Sequence, residues 1–286
     1  MKLVNFIVEG KTRLGIKSEY GIIDVEKAGK EASLKVPSTI EEVILSGGKA
    51  LLELAQLIKP NALILKEDIT YAPSVTKPEK IICVGLNYIS HTSETNADIP
   101  TYPVLFSKFN NSLASHNQII SIPEEAKKID YEAELVIVIG KEASKVTKEE
   151  ALSYVFGYTV GNDLSARDLQ FRSSQWLLGK TCDNFAPIGP CVVTAEEIDP
   201  TNLNIECKVN GIVRQAGNTK DMIFDCATIV SYISECMTLK PGDIIFTGTP
   251  GGVILGYPEE KQQWLKSGDE IAVSIENIGT LVNILK

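Results

Sequence analysis

Only two histidines, His91 and His116, occur in 286 residues. Zinc, copper and iron centres rely on several imidazoles, so this scarcity speaks against such a centre. The six cysteines, Cys83, Cys182, Cys191, Cys207, Cys226 and Cys236, form no C-x-x-C pair. A zinc ribbon or a thioredoxin-like redox site therefore lacks its defining residues, and the cysteines read as reduced structural thiols. Basic residues are outnumbered, 28 against 37 acidic ones, giving a net charge of −9 and a pI near 5.0. With no basic stripe, neither nucleic acid nor an anionic membrane is an expected partner. No uncharged apolar run approaches the ~20 residues of a membrane helix. The opening "MKLVNFIVEGKTRLG" meets charges too early for a signal peptide. The expectation is a soluble, cytoplasmic protein.

What the chain does have is apolar material, 44% of it, in a length that supports a sizeable core. Residues 1–70 read as a small unit. "KLVNFIVEG", "RLGIKSE" and "YGIIDVE" look like short strands joined by tight turns. "PSTIEEVILSGG" offers a capping box, Ser38 with Glu41, and "GGKALLELAQLIK" a second helix closed by Pro60. Residues 71–79 carry two prolines without periodicity and read as a linker. Residues 80–286 are rich in strands. They include a hairpin turning at Asn210–Gly211 and a helix whose buried side takes Cys226, Ile229, Val230, Ile233 and Met237. Helices and strands do not alternate regularly, which argues against a doubly wound sheet or a TIM barrel.

One strand poses a chemical problem. In "IDYEAELVIVIG", Glu132 and Glu134 share a face with Val136 and Val138, while Tyr131, Ala133, Leu135 and Ile137 take the other. Both faces look buried from Leu135 onward, and two like charges entering such a place need a counter-charge. Asp163, at a strand end in "VFGYTVGNDLSARDLQF", offers a third carboxylate for one hard cation such as Mg²⁺. The alternative is a solvated strand end, with the glutamates paired to Lys127 and Lys128. His91 with Glu94 one helical turn on reads either as an oriented base or as a surface histidine. Lys180, between Trp176 and Phe185, reads either as a functional lysine with a lowered pKa or as a snorkelling one. Thr247 and Thr249 flank Gly248, either facing a carboxylate together or making a simple tight turn. Arg167 has Asp168 and Asp163 as candidate partners.

Five motifs occur in order: "GLNYISH", "DYEAELVIVIGKE", "GYTVGNDLSARDLQ", "QWLLGKTCDNFAPIGP" and "GDIIFTGTPGGV". Together, over roughly residues 80–286, they resemble the fumarylacetoacetate hydrolase family. The resemblance implies a β-rich α+β fold, a mixed β-sandwich roll preceded by a small N-terminal α+β domain, in a homodimer. It implies one Mg²⁺ or Mn²⁺ per subunit on Glu132, Glu134 and Asp163. It makes His91, Glu94 and Lys180 catalytic, and Tyr88, Arg167, Gln170 and Thr249 substrate-binding. The implied reaction is hydrolysis of a C–C bond in β-diketo acids of the acylpyruvate type, giving pyruvate and a carboxylic acid. Oxaloacetate decarboxylation is the alternative, as is hydrolysis, dehydration or isomerisation of a 2-keto-3-deoxy sugar acid. A non-catalytic metal-binding protein is a further reading, against which the intact His91, Glu94 and Lys180 stand. The upstream fourth aspartate ligand of the enzyme that names the family has no counterpart here, so fumarylacetoacetate is not the expected substrate.

Overall fold

The computed structural model describes residues 1–19, 21–59, 64–65 and 69–286. The fold is built on the strand Ala133–Ile139, whose every residue is buried. It pairs antiparallel with Val155–Asn162 on one side and Ile244–Phe246 on the other. Leu135, Ile137 and Ile139 enter a core shared with Ile205, Cys207 and Val273. Val136 and Val138 enter a second core with Leu3, Ile16, Ile40 and Leu54. Apolar surface removed from water on both faces explains the unbroken run of β-branched residues.

Among the described residues, the larger sheet has twelve strands. From Ala133–Ile139 it runs outward through Ile244–Phe246 and Ile81–Gly85, which pair in parallel, to Val104–Lys108. In the other direction Val155–Asn162 leads to Ala186–Thr194. There Lys2 and Leu3 lie opposite Val193 and Val192, so the N-terminal strands Lys2–Val8, Lys11–Ser18 and Gly21–Asp24 continue the same sheet. A five-stranded sheet contains the hairpins Asn204–Val209 with Ile212–Asn218 and Glu270–Ile275 with Gly279–Leu285. Asn210 and Gly211 both adopt positive φ at the first hairpin's turn, as an Asn-Gly turn does. The mixed, strand-dominated architecture matches the β-rich α+β expectation.

Some local expectations shift. The helix Ile40–Ser46 is capped by Thr39, which accepts the Glu42 N–H, so the capping residues lie one position later than Ser38 and Glu41. Glu41 instead accepts from the Thr76 N–H and hydroxyl, tying the 71–79 segment to this helix. Pro60 lies outside the described residues. In the helix Cys226–Cys236, Ser234 is buried, while Met237 falls past the last turn and is exposed. All six cysteines are free. No helix among the described residues is long and apolar enough to cross a membrane.

His116 joins the 71–79 side of the molecule to the last strand. Its ring meets Tyr71 edge-on at 4.7 Å, and its Nδ1 accepts the Val282 N–H at 3.0 Å. Burial, followed by the charge of Lys17, pushes its pKa down to about 4. Unfolded, an imidazole binds its proton near 6.5, so this neutral histidine contributes stability above pH 6.5 that is lost as pH falls toward 4. Replacing His116→Gln should lower the melting temperature at pH 7. That deficit should shrink between pH 6.5 and 4, because only the unaltered protein takes up the proton there. A deficit that stays constant across that window would show that His116 is not the group responsible.

Candidate functional site

Strand pairing brings the three acidic residues together. Ala133 lies opposite Asn162, the Glu132 N–H donates to Asn162 Oδ1 at 3.0 Å, and the Asp163 N–H donates to the Glu132 carbonyl at 2.9 Å. One carboxylate oxygen from each of Glu132, Glu134 and Asp163 lies within 4.8 Å of the others, and all three side chains are buried. The solvated strand end considered above is therefore ruled out.

Their counter-charges come from other elements than the sequence suggested. Lys127 and Lys128 play no part; their backbone N–H groups donate to Asp168. Lys180 Nζ donates to Glu132 Oε2 at 2.5 Å and Asp163 Oδ2 at 2.8 Å. Its position depends on Gly179, where a Cβ would lie 2.4 Å from Gln170 N, too close for any other residue. Arg167 spans Asp130 through Nε at 2.9 Å and Glu132 through its second terminal nitrogen at 2.7 Å, and it also holds Gln170 Oε1. Its partners are thus neither Asp168 nor Asp163. Lys108, fully buried, bonds Asp163 and the Leu164 carbonyl.

Burial would lower the Lys180 pKa, but the carboxylates of Asp163 and Glu132 outweigh it and hold it above the ordinary lysine value. The lysine is therefore a firmly charged ammonium, not the proton-losing group expected from its aromatic neighbours. Glu132 is pushed up by burial, yet Arg167 and Lys180 prevail and keep it well below the usual carboxylate range. Glu134 goes the other way: burial, then Asp163 and Glu132, push it well up. One of its oxygens accepts the Gly248 N–H at 2.7 Å, but among the described residues no cationic side chain lies within ion-pair distance. Four buried carboxylates, Asp130, Glu132, Glu134 and Asp163, thus meet three buried cations, Lys108, Arg167 and Lys180. A hard divalent cation on Glu132, Glu134 and Asp163 fits this all-oxygen donor set and supplies the missing positive charge.

Of these groups Glu132, Glu134, Arg167 and Lys180 border a cavity of about 630 Å³. His91, Glu94, Glu132, Glu134, Arg167, Gln170, Lys180 and Thr249 all line it. The helix Ile89–Glu94 sets His91 Nδ1 2.9 Å from Glu94 Oε1, realising the one-turn spacing. Glu94 Oε2 accepts the Gly252 N–H at 2.7 Å, and Gly251 donates to Ser90, so this helix is docked on the glycine loop. Thr249 accepts from Gln215 at 2.8 Å, whereas Thr247 spends its hydroxyl on the Leu135 carbonyl, so the two hydroxyls do not act as a pair. Tyr88 is fully buried with a hydroxyl that finds no partner among the described residues, does not line the cavity, and serves through its carbonyl as the start of the His91 helix.

Asp130, Lys108 and Gln215 were missed by sequence reasoning. Asp130 had a signal: it precedes Glu132 and Glu134 at the same two-residue period. It accepts the Ile254 and Leu255 N–H groups as well as Arg167, coupling the loop after Gly252 to Glu132. Lys108 and Gln215 stand alone in their strands, and nothing in the sequence distinguishes them. The charge imbalance yields a two-sided expectation for Glu134→Gln, which keeps the acceptor for Gly248. Without metal, the variant should melt at a higher temperature at pH 7, because the folded protein no longer has to protonate a carboxyl there or hold its charge beside Asp163 and Glu132. Its Mn²⁺ affinity by calorimetry should fall about tenfold or more. Unchanged affinity would remove Glu134 from the donor set.

The family model described as Fumarylacetoacetate (FAA) hydrolase C-terminal matches residues 80–286. A Dictyostelium discoideum protein named fumarylacetoacetate hydrolase domain-containing protein 2 homolog is 44% identical, over 100% of this chain and 97% of its own. The rat protein named oxaloacetate tautomerase Fahd2a, mitochondrial, is 42% identical over 87% of this chain and 80% of its own. The solved structure of a fumarylacetoacetate hydrolase from Exiguobacterium antarcticum superimposes with a TM-score of 0.88 at 36% identity, covering 100% of this chain and 99% of that one. The chain described here belongs to the fumarylacetoacetate hydrolase family.

Proposed function

We propose that this protein is a divalent-metal-dependent hydrolase that cleaves acylpyruvates into pyruvate and a carboxylic acid. The observation that carries the reading is the convergence of the Glu132, Glu134 and Asp163 carboxylates, two of which, Glu132 and Glu134, line one cavity with the His91–Glu94 pair. Glu132, Glu134 and Asp163 would hold Mg²⁺ or Mn²⁺, which would supply Lewis-acid polarisation of a bound 2-oxo acid. Glu94 fixes the His91 ring through Nδ1, leaving Nε2 to take a proton from water as its oxygen attacks the distal carbonyl. The C–C bond then breaks, its electron pair stays on the pyruvate half, and that carbon takes up a proton. The firmly charged Lys180 favours this step by its positive field. Arg167 holds Glu132 in place and is a positioning residue. We also read residues 1–70 as a small N-terminal unit, 80–286 as the catalytic one, and the functional state as a homodimer.

A second reading is keto–enol interconversion of oxaloacetate, favoured by the name of the rat relative. It needs proton transfer at carbon but no attacking water. His91→Ala should slow acylpyruvate hydrolysis by ~10²- to 10⁴-fold, the usual worth of general-base assistance. Spectrophotometric assays of both reactions on this variant, at saturating Mn²⁺, decide between the readings. Interconversion of oxaloacetate by the unaltered protein, without any hydrolysis of acylpyruvates, would replace the first reading with the second.

A further inference from the structure

We infer that the preferred substrate ends in an apolar acyl or aryl tail and not in a second carboxylate; this rests on the 2-oxo-acid reading just given. Size is the first ground. Cavities of 300–1,000 Å³ take ligands much larger than a four-carbon acid, and this one measures about 630 Å³. Away from the carboxylates its wall includes Leu86, Phe106, Phe171, Trp176, Tyr257 and Pro258, with Thr95 and Asn96 as polar members. The wall is built, not incidental. Phe106 and Trp176 meet edge-to-face at 5.4 Å, and the Trp176 ring lies where a Cβ on Gly85 would sit, 2.7 Å away. The Phe106 ring centre is 5.1 Å from Lys180 Nζ, so the aromatic ledge begins where the charged cluster ends.

Charge is the second ground. The basic side chains on the cavity wall are Arg167, Lys180 and His91. Arg167 is committed to Asp130, Glu132 and Gln170, Lys180 to Glu132 and Asp163, and His91 to Glu94. A distal carboxylate would be stripped of water with no uncommitted cation to meet it, while Glu94 lines the same wall. An apolar tail instead leaves water for the aromatic ledge, a gain of about fourfold in binding for each buried methylene.

The test uses the full chain loaded with Mn²⁺ and a series from acetylpyruvate to hexanoylpyruvate, plus the hexanoyl analogue ending in a carboxylate. kcat/KM should rise about fourfold per methylene and fall at least tenfold when the terminal methyl becomes a carboxylate. Trp176→Ala should lose at least tenfold more on hexanoylpyruvate than on acetylpyruvate. A flat series, or a preference for the dicarboxylate, overturns the inference. If no acylpyruvate is cleaved at all, the hydrolase reading fails by itself. Calorimetric binding of 2-oxooctanoate against 2-oxoglutarate then still decides the tail: tighter octanoate supports it, tighter glutarate overturns it.

Discussion

Four buried carboxylates and three buried cations meet in one cluster, and the arrangement of the rest of the molecule answers to that imbalance. An isolated buried charge is far more costly than a paired one. The fold therefore draws a cation from each of three separate places: Lys108 from the edge strand Val104–Lys108, Arg167 from a short turn after the Asp163 strand, and Lys180 from another turn. Glu134 is the carboxylate left over. Keeping Glu134 here costs stability, whether it takes up a proton or holds its charge, and a divalent ion would relieve that cost. Loss of stability where function resides is a common trade in proteins.

Two links carry this centre outward. Asp130 gathers Arg167 and the N–H groups of Ile254 and Leu255, and Glu94 gathers His91 and the N–H of Gly252. Both carboxylates thus grip the loop that supplies Tyr257 and Pro258 to the cavity wall. The acidic cluster and the cavity wall are consequently joined through hydrogen bonds.

The strand pattern was readable because its causes are local: alternation, β-branching and an Asn-Gly turn each act over a few residues. The ligand triad was readable in part. Glu132 and Glu134 stand out as acids entering an apolar run, and Asp163 follows a strand that pairs beside them. The partners were not, because Lys180 and Lys108 reach Asp163 from 17 and 55 residues away, and such pairings depend on the closed fold. Arg167 illustrates the same limit: its sequence neighbour Asp168 is occupied with backbone at Lys127 and Lys128, while its own acidic partners lie more than thirty residues earlier. The Lys180 pKa was misjudged for a related reason. Neighbouring aromatics suggested desolvation, and the two carboxylates that outweigh it are invisible at that distance.

The parity of Ala133–Ile139 has a consequence for how such a protein changes over generations. Odd positions fill one core and even positions lead from the other core to the glutamates. Inserting or deleting a single residue in the strand would exchange the two sets, driving carboxylates into hydrocarbon and valines into the pocket. The strand is thus closed to length variation. The helix Ile89–Glu94 and the segment after Gly252 hold the cavity wall from outside the sheet, where length and composition are freer. Lineages can reshape the cavity by rewriting these borders while inheriting the strand that carries Glu134 unaltered.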